Sequence, residues 1–350
     1  MLLDALTPPA TDPTSIFELF RGNYGTELLA AAVAEFGIFE RLEHASKPAE
    51  TLRRELGLAE RPFAVLTTAL RAMNLLRFDH ENRVELTALS RGHLLPGGAF
   101  FVGDYVGLAA QSPGVREMVA RLKTNRPAGG EDRQKGAAFI FRAGVESAME
   151  LEASARHLTL ALAGRAKNVA PHLAEKLDLS QATTLLDVGG GTGIYSIACL
   201  QRNPKLRAIV FDRPEVLKVA LEFAREYGVQ DRLDLIPGDM FADPLPRNAD
   251  AVLLSNILHD WDIPECRTLV SKCSRSLHQG GMLAIHDVFL NDSLDGPLPI
   301  ALYSAALFSM TEGRAYSAKE YAGWLNENGL HAQPMKKTLI HCGLLVGTKK

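Results

Sequence analysis

Residues 184–196 read TLLDVGGGTGIYS, an apolar run that ends in an aspartate and then sets four glycines within five positions. Thr184–Val188 reads as a buried strand, and IYSIACLQRN reads as a helix that stops before Pro204. The glycines therefore occupy a strand-to-helix turn at the carboxyl edge of a parallel sheet, where open α/β sheets bind ligands. Without a Cβ the chain can turn tightly there and bring its amides against a ligand.

Three ligand classes compete for such a turn. A Walker phosphate loop needs GxxxxGK[ST], and no lysine follows these glycines. A dinucleotide fingerprint from Gly189 finds Gly191 but meets Ile194 where its third glycine belongs. What remains is acid-x-Gly-x-Gly-x-Gly: Asp187, Gly189, Gly191 and Gly193. That pattern suits S-adenosylmethionine (SAM), whose sulfonium and amino acid end call for a carboxylate and carbonyls as well as amides. The next strand, LRAIVFD, ends at Asp212, twenty-five residues after Asp187, where an acid can accept both ribose hydroxyls. Asp212 also precedes Arg213 and Pro214, so it doubles as a candidate helix N-cap. IPGDMF then sets Asp239 and Met240 at the end of a third strand, an acid for the adenine amino group and a thioether for the ring face.

The fourth strand, DAVLLSNIL, runs into HDWDIPEC. Asp262, Pro264 and Glu265 mark a helix start, so His259 falls between strand end and helix, at the edge that carries the glycine turn. Its ordinary pKa suits proton acceptance near neutrality. GGMLAIHDVFL, the fifth strand, carries Asp287, which can hold the His259 imidazole in one tautomer, and His286, expected on the opposite face with a structural role.

Outside these strands the texture is helical. Residues 14–45 have helical period, and 48–58 and 62–76 read as two helices around a short turn. RFDHENRVELTALSRGHLL follows as a small hairpin, which completes a winged-helix pattern. The second helix offers only Arg61 and Arg71 as bases, and the chain has a net charge of −3, so neither groove reading nor anionic membrane binding is expected. An apolar winged helix is expected instead to bury its face against another subunit or to roof a pocket. No apolar stretch reaches the ~18 residues of a membrane span. The N-terminus lacks a basic signal-peptide region, and the four cysteines form no CxxC pair, so a cytoplasmic protein with reduced thiols and no metal is expected.

LLDVGGGTG, VFDRPEV, GDMF, LHDWDIPEC and GGMLAIHDVFL, in this order, resemble the class I SAM-dependent O-methyltransferases of the caffeate and acetylserotonin type, bacterial small-molecule members included. The resemblance covers nearly the whole chain. It implies an α/β fold: a Rossmann-like sheet of seven strands with a C-terminal antiparallel hairpin, and an N-terminal, mostly helical winged-helix dimerisation domain. The expected boundaries are 1–105 for that domain and 106–350 for the methyltransferase domain, with 106–180 a connector and 181–350 the core. It also implies a homodimer in which one subunit helps close its partner's pocket. His259 matches the family's base and Asp287 its first supporting acid. Asp187, Gly189, Gly191, Asp212, Arg213, Asp239, Met240, Ser255 and Trp261 form the candidate cofactor contacts. Met149, Phe308 and Met310 are candidate pocket walls.

Two departures stand out. In GRAYS, Ala315 takes the place of the family's second supporting acid, and Ser255 stands where a Lys or Arg often occurs. The expected reaction is methyl transfer from SAM to a phenolic or enolic hydroxyl of a small, largely apolar metabolite, leaving S-adenosylhomocysteine. The Ala315 departure keeps two alternatives in view: transfer to carbon or nitrogen, and a SAM-binding enzyme that does not methylate.

Overall fold

The computed structural model describes residues 2–126 and 152–350. Internal contacts divide the chain into two units. One draws on the described parts of Met1–Ser15, Ala137–Phe289 and Tyr316–Lys350, the other on those of Ile16–Gly136 and Leu290–Ala315.

The first unit is built on one sheet. Its main strands are β1 (Thr184–Val188), β2 (Arg207–Asp212), β3 (Leu233–Pro237), β4 (Ala249–Ser255), β5 (Leu277–Leu290), β6 (Leu330–Ala332) and β7 (Cys342–Lys349). They lie in the order β6-β7-β5-β4-β1-β2-β3. β1 to β5 pair in parallel; β7 joins β5 antiparallel, and β6 joins β7 antiparallel. Two-residue strands at Tyr316–Ser317 and Lys336–Lys337 extend the sheet locally. The expected Rossmann-like sheet with a terminal antiparallel hairpin is therefore present.

The strands read as continuous apolar runs because helices cover the sheet. Leu185, Leu186 and Val188 of β1 and Val252, Leu253 and Leu254 of β4 are buried. The connecting helices are α1 (Ile194–Arg202), α2 (Pro214–Glu226), α3 (Ile263–Ser276) and α4 (Ala318–Glu327). Pro214 and Pro264 sit in first turns, where a missing N–H costs nothing. Ser317 and Glu320 close a capping box at the start of α4. Strand order reverses at β1, which has β2 on one side and β4 on the other. That reversal opens a crevice at the carboxyl ends of β1 and β4, so the fold itself selects where a ligand can lie.

The second unit carries the winged-helix pattern. Helices Ala49–Leu56 and Glu60–Ala72 are followed by strands Leu76–Phe78 and Arg83–Leu86, which pair antiparallel. Lys47–Pro48 adds a third strand against Arg83–Leu86. Arg61 is turned inward, giving hydrogen bonds to Asn125 and to the Thr311 carbonyl. Arg71 donates to the Leu294 carbonyl and lies 4.1 Å from the Phe78 ring centre. Both bases of the second helix are thus spent inside their own unit. Helix Leu298–Met310 packs on Glu60–Ala72, and Leu302, Ala305 and Phe308 enter the same core as Leu28, Phe39 and Leu66.

Candidate active site

β1 delivers the chain into the glycine turn, and Gly189 is where its backbone requirement is strictest. Its φ is +70°, and a Cβ there would stand 2.6 Å from Ile257 Cδ1. A side chain there would strain the backbone at that φ and force the Ile257 side chain to shift. At Gly191, with φ +60°, an added Cβ would meet nothing within 4 Å, so the turn faces open space at that point. Asp187 lies beneath the turn rather than on it. It is 0% exposed, and its Oδ2 accepts from the Ser196 hydroxyl at 2.7 Å. Burial pushes its pKa up to about 7 against the pull of Ser196.

The next two acids stand at neighbouring strand ends. Asp212 accepts from the Gly191 amide at 2.9 Å and from the Arg213 amide at 2.7 Å, which ties the glycine turn to the end of β2. The N-cap of α2 is Arg213, without a side-chain cap, so the capping role weighed for Asp212 is not the one it takes. Asp239 accepts from the Phe241 and Ala242 amides and pairs with Arg213 at 3.1 Å. Met240 Sδ lies 3.9 Å from where a Gly189 Cβ would stand. Trp261 is buried, edge-on to Phe241 with ring centres 4.7 Å apart, and its carbonyl accepts from the Tyr316 hydroxyl at 2.6 Å.

β4 and β5 bring the candidate pair His259 and Asp287 together. Ser255 is in register with His286, so Asp287 lies one step beyond the end of β4. The chain leaves β4 through Asn256, with φ +57°, and enters a short 3₁₀ turn, Leu258–Asp260, that returns His259 toward Asp287. His259 Nδ1 and Asp287 Oδ1 are 2.5 Å apart. Asp287 is 0% exposed; Oδ1 also accepts from the Val288 amide at 2.8 Å, and Oδ2 accepts from the Tyr321 hydroxyl at 3.1 Å. On the other side of the ring, Asp260 Oδ1 is 3.5 Å from His259 Nε2.

Burial alone would lower the His259 pKa; the Asp287 and Asp260 carboxylates outweigh it, and the imidazole sits above its ordinary value. Asp287 is also buried, yet its coupling to His259 holds it below the usual carboxylate range. Asp260 goes the other way, to about 6, because burial dominates.

The structure thus gathers His259, Asp287, the glycine turn, Asp212, Arg213, Asp239, Met240, Ser255 and Trp261 on one unit. Phe308 is buried in the core of the other unit, and Met310 is half-buried there. Met149 lies outside the described residues. Asp260 and Tyr321 were not singled out from the sequence. Asp260 follows His259 directly, and adjacent residues do not ordinarily face one another on a helix. Tyr321 comes from α4, and nothing local in its sequence marks it. Among the described residues, no group of three or more His, Cys, Asp or Glu side chains has the arrangement of a metal site.

The profile of the O-methyltransferase domain matches residues 133–331, more than half of the chain. The chain is 34% identical over 329 residues to 3-hydroxy-5-methyl-1-naphthoate 3-O-methyltransferase of Streptomyces sahachiroi, covering 92% of this chain and 91% of that protein. The chain belongs to the O-methyltransferase family. The enzyme is accordingly a SAM-dependent methyltransferase, and it resembles further members over its full length. A crystal structure of a family 2 O-methyltransferase from Planctomyces limnophilus, in complex with apigenin, shares 47% identity and superposes with a TM-score of 0.89 over 100% of this chain and 99% of that one. L-tyrosine C(3)-methyltransferase of Streptomyces lavendulae is 30% identical over 315 residues, covering 87% of this chain and 84% of that protein.

Proposed function

We propose that the enzyme methylates a phenolic hydroxyl of a small, flat, largely apolar metabolite, with His259 as general base. The observation that carries this reading is the buried His259–Asp287 pair, 2.5 Å apart, at the strand edge that also bears the glycine turn. The relatives point to the acceptor class: one is named for a hydroxynaphthoate, and one was solved with apigenin.

The residues present fit SAM as the donor. The turn is open at Gly191, and Asp212 and Asp239 stand half-buried at adjacent strand ends. Asp212 is held by backbone amides that leave its remaining lone pairs for ribose hydroxyls. Met240 and Trp261 supply apolar faces for a purine. Asp187, beneath the turn, acts by holding the turn's shape through Ser196. When bound, SAM supplies an electrophilic methyl group, and S-adenosylhomocysteine remains.

His259 in its neutral form accepts the acceptor's proton at Nε2. Asp287 receives the Nδ1–H, which fixes that tautomer, and its charge stabilises the imidazolium that results. Tyr321 and the Val288 amide keep the Asp287 carboxylate from turning away. Such general-base help is worth about 10²–10⁴-fold, with positioning of the two reactants supplying most of the rest.

Two further parts of the proposal concern the whole protein. Ile16, Leu19 and Phe20 are 67%, 83% and 78% exposed on one helix, which supports association of two copies through the N-terminal unit. All four cysteines are buried free thiols, in keeping with a reducing cytoplasm.

The test is product analysis with methyl-labelled SAM and a hydroxynaphthoate or hydroxyflavone acceptor. The expected product is a methyl ether, and His259→Ala should lose about 10²–10⁴-fold in kcat while binding S-adenosylhomocysteine as wild type does. A variant within threefold of wild type would remove His259 from the mechanism. A second reading, methylation of a ring carbon beside the phenol, draws on the likeness to the tyrosine C(3)-methyltransferase. There the same proton removal would enrich the ring, and label on carbon rather than oxygen would select it.

A further inference from the structure

The end of β4 carries a second polar cluster that the catalytic pair does not use. His286 is 0% exposed on β5, and both ring nitrogens are engaged: Nδ1 with Ser255 Oγ at 2.8 Å, Nε2 with Thr338 Oγ1 at 3.1 Å. Ser255 Oγ also accepts from Asn256 Nδ2 at 3.1 Å, and the same amide reaches the Tyr195 hydroxyl at 3.3 Å. Tyr195 stands edge-on to the imidazole, with ring centres 5.2 Å apart. The Asn256 amide donates to the His286 carbonyl at 2.8 Å, so backbone and side chain tie the same two residues.

The cluster therefore joins four elements: the end of β4, β5, the first turn of α1 and the hairpin turn that leads into β7. Two of them carry backbone in the left-handed region. Asn256 has φ +57°, and the hairpin turn places Ile340 at +55° and His341 at +57°. A β-branched residue rarely adopts that conformation, and it persists only where surrounding contacts over-determine it. Here the Thr338 amide donates to the Cys342 carbonyl, and Ile340 is 1% exposed. Burial drives the His286 pKa down to about 3, so the imidazole is neutral at any pH at which the enzyme works. In that form it has one donor and one acceptor, engaged by Thr338 and Ser255, which makes it a spacer of fixed length between them.

What the spacer holds lies against the glycine turn. Ile257, the residue after Asn256, is the group a Cβ on Gly189 would strike. Asn256 Oδ1 is buried and has no hydrogen-bond partner in the protein, although the amide nitrogen beside it has two. A buried acceptor left unpaired is costly, and a bound ammonium can satisfy it.

We propose that His286 is a positioning residue for the methyl donor: through Ser255 and Asn256 it sets the wall of the donor site that abuts the glycine turn. The inference rests on the reading of that turn as the SAM site.

The test is calorimetric titration of S-adenosylhomocysteine into the folded protein, alongside KM values for SAM and for the acceptor. His286→Leu and Ser255→Ala each remove two buried hydrogen bonds and should each weaken binding by about 10-fold or more. His286→Asn, which keeps a polar atom toward Ser255, should recover to within about threefold of wild type. The acceptor KM should stay unchanged; a merely structural role would move both KM values together. Should His286→Leu fail to fold, Ser255→Ala and Thr338→Val carry the test. Wild-type affinity in both Ser255→Ala and Thr338→Val, or in His286→Leu, overturns the relay while leaving the donor site intact. Wild-type protein that takes up no S-adenosylhomocysteine overturns the donor reading itself, and the relay with it.

Discussion

Asp287 accepts from three groups, His259 Nδ1, the Val288 amide and the Tyr321 hydroxyl, while fully buried. That arrangement makes its charge the source of the raised His259 pKa, with Asp260 adding to it and burial opposing both. The sign of the consequence can be worked out. With His259 in its proposed role as base, turnover requires neutral imidazole, and the rate is expected to rise with pH through the His259 pKa. Asp287→Asn removes the larger favourable charge and leaves burial in place, so the pKa falls and the acid limb of kcat/KM moves to lower pH. Because an amide can also favour the wrong tautomer, kcat should drop by about 10²–10⁴-fold. A pH-rate profile checks both; a limb that stays put or moves upward would place the perturbing charge elsewhere. The pair itself was legible in the sequence because His259 follows one apolar strand and Asp287 lies within the next, which sets both near one sheet edge. Asp260 and Tyr321 were not, since their placement depends on a 3₁₀ turn and on a helix that packs from 34 residues beyond Asp287.

At the scale of elements, the glycine turn and Asp187 beneath it form one device. Thr184–Val188 appears with the bounds that its apolar run implied, and α1 starts directly after the turn. The pattern set Asp187 among the candidate cofactor contacts, but a strand-end residue can face the crevice or the helix above it. Ser196, one turn into α1, draws it inward. The folded-state pKa of Asp187 is about 7, raised from 3.8, so the folded protein binds this proton more tightly than the unfolded chain. Its contribution to stability is full below the unfolded value and is lost as pH rises through about 7. Asp187→Asn keeps the Ser196 bond without the charge. In thermal melts without ligand it should match wild type near pH 4 and exceed it near pH 8, by a gap of up to about 4 kcal/mol at the usual conversion. A gap that is constant across that range would mean the carboxyl ionises normally in place.

At the scale of the whole molecule, the sequence reading assigned Leu290–Ala315 to the methyltransferase domain, whereas its contacts group it with the N-terminal unit. Helix Leu298–Met310 is apolar on nearly all sides, so no amphipathic face announces its neighbour, and its packing on Glu60–Ala72 is settled only by long-range contacts. The opposite case is helix Thr14–Arg21, whose apolar positions Ile16, Leu19 and Phe20 fall at helical spacing on one face and are exposed. A lone chain gains nothing from such a face, and a second copy that covers it gains the transfer free energy of three large side chains, about 1.5–3 kcal/mol each. Sedimentation should therefore show the wild-type protein at twice the 38.1 kDa chain mass. Leu19→Glu together with Phe20→Glu would bury two unpaired charges on association. Each costs at least as much as a deleted hot spot, so the dissociation constant should rise by about 10³-fold or more and the protein should run as a monomer at micromolar concentration. The substitutions lie on the surface of the folded chain, so melting behaviour extrapolated to low protein concentration should be unchanged. A double variant that sediments as wild type would show that this face is not where two copies meet.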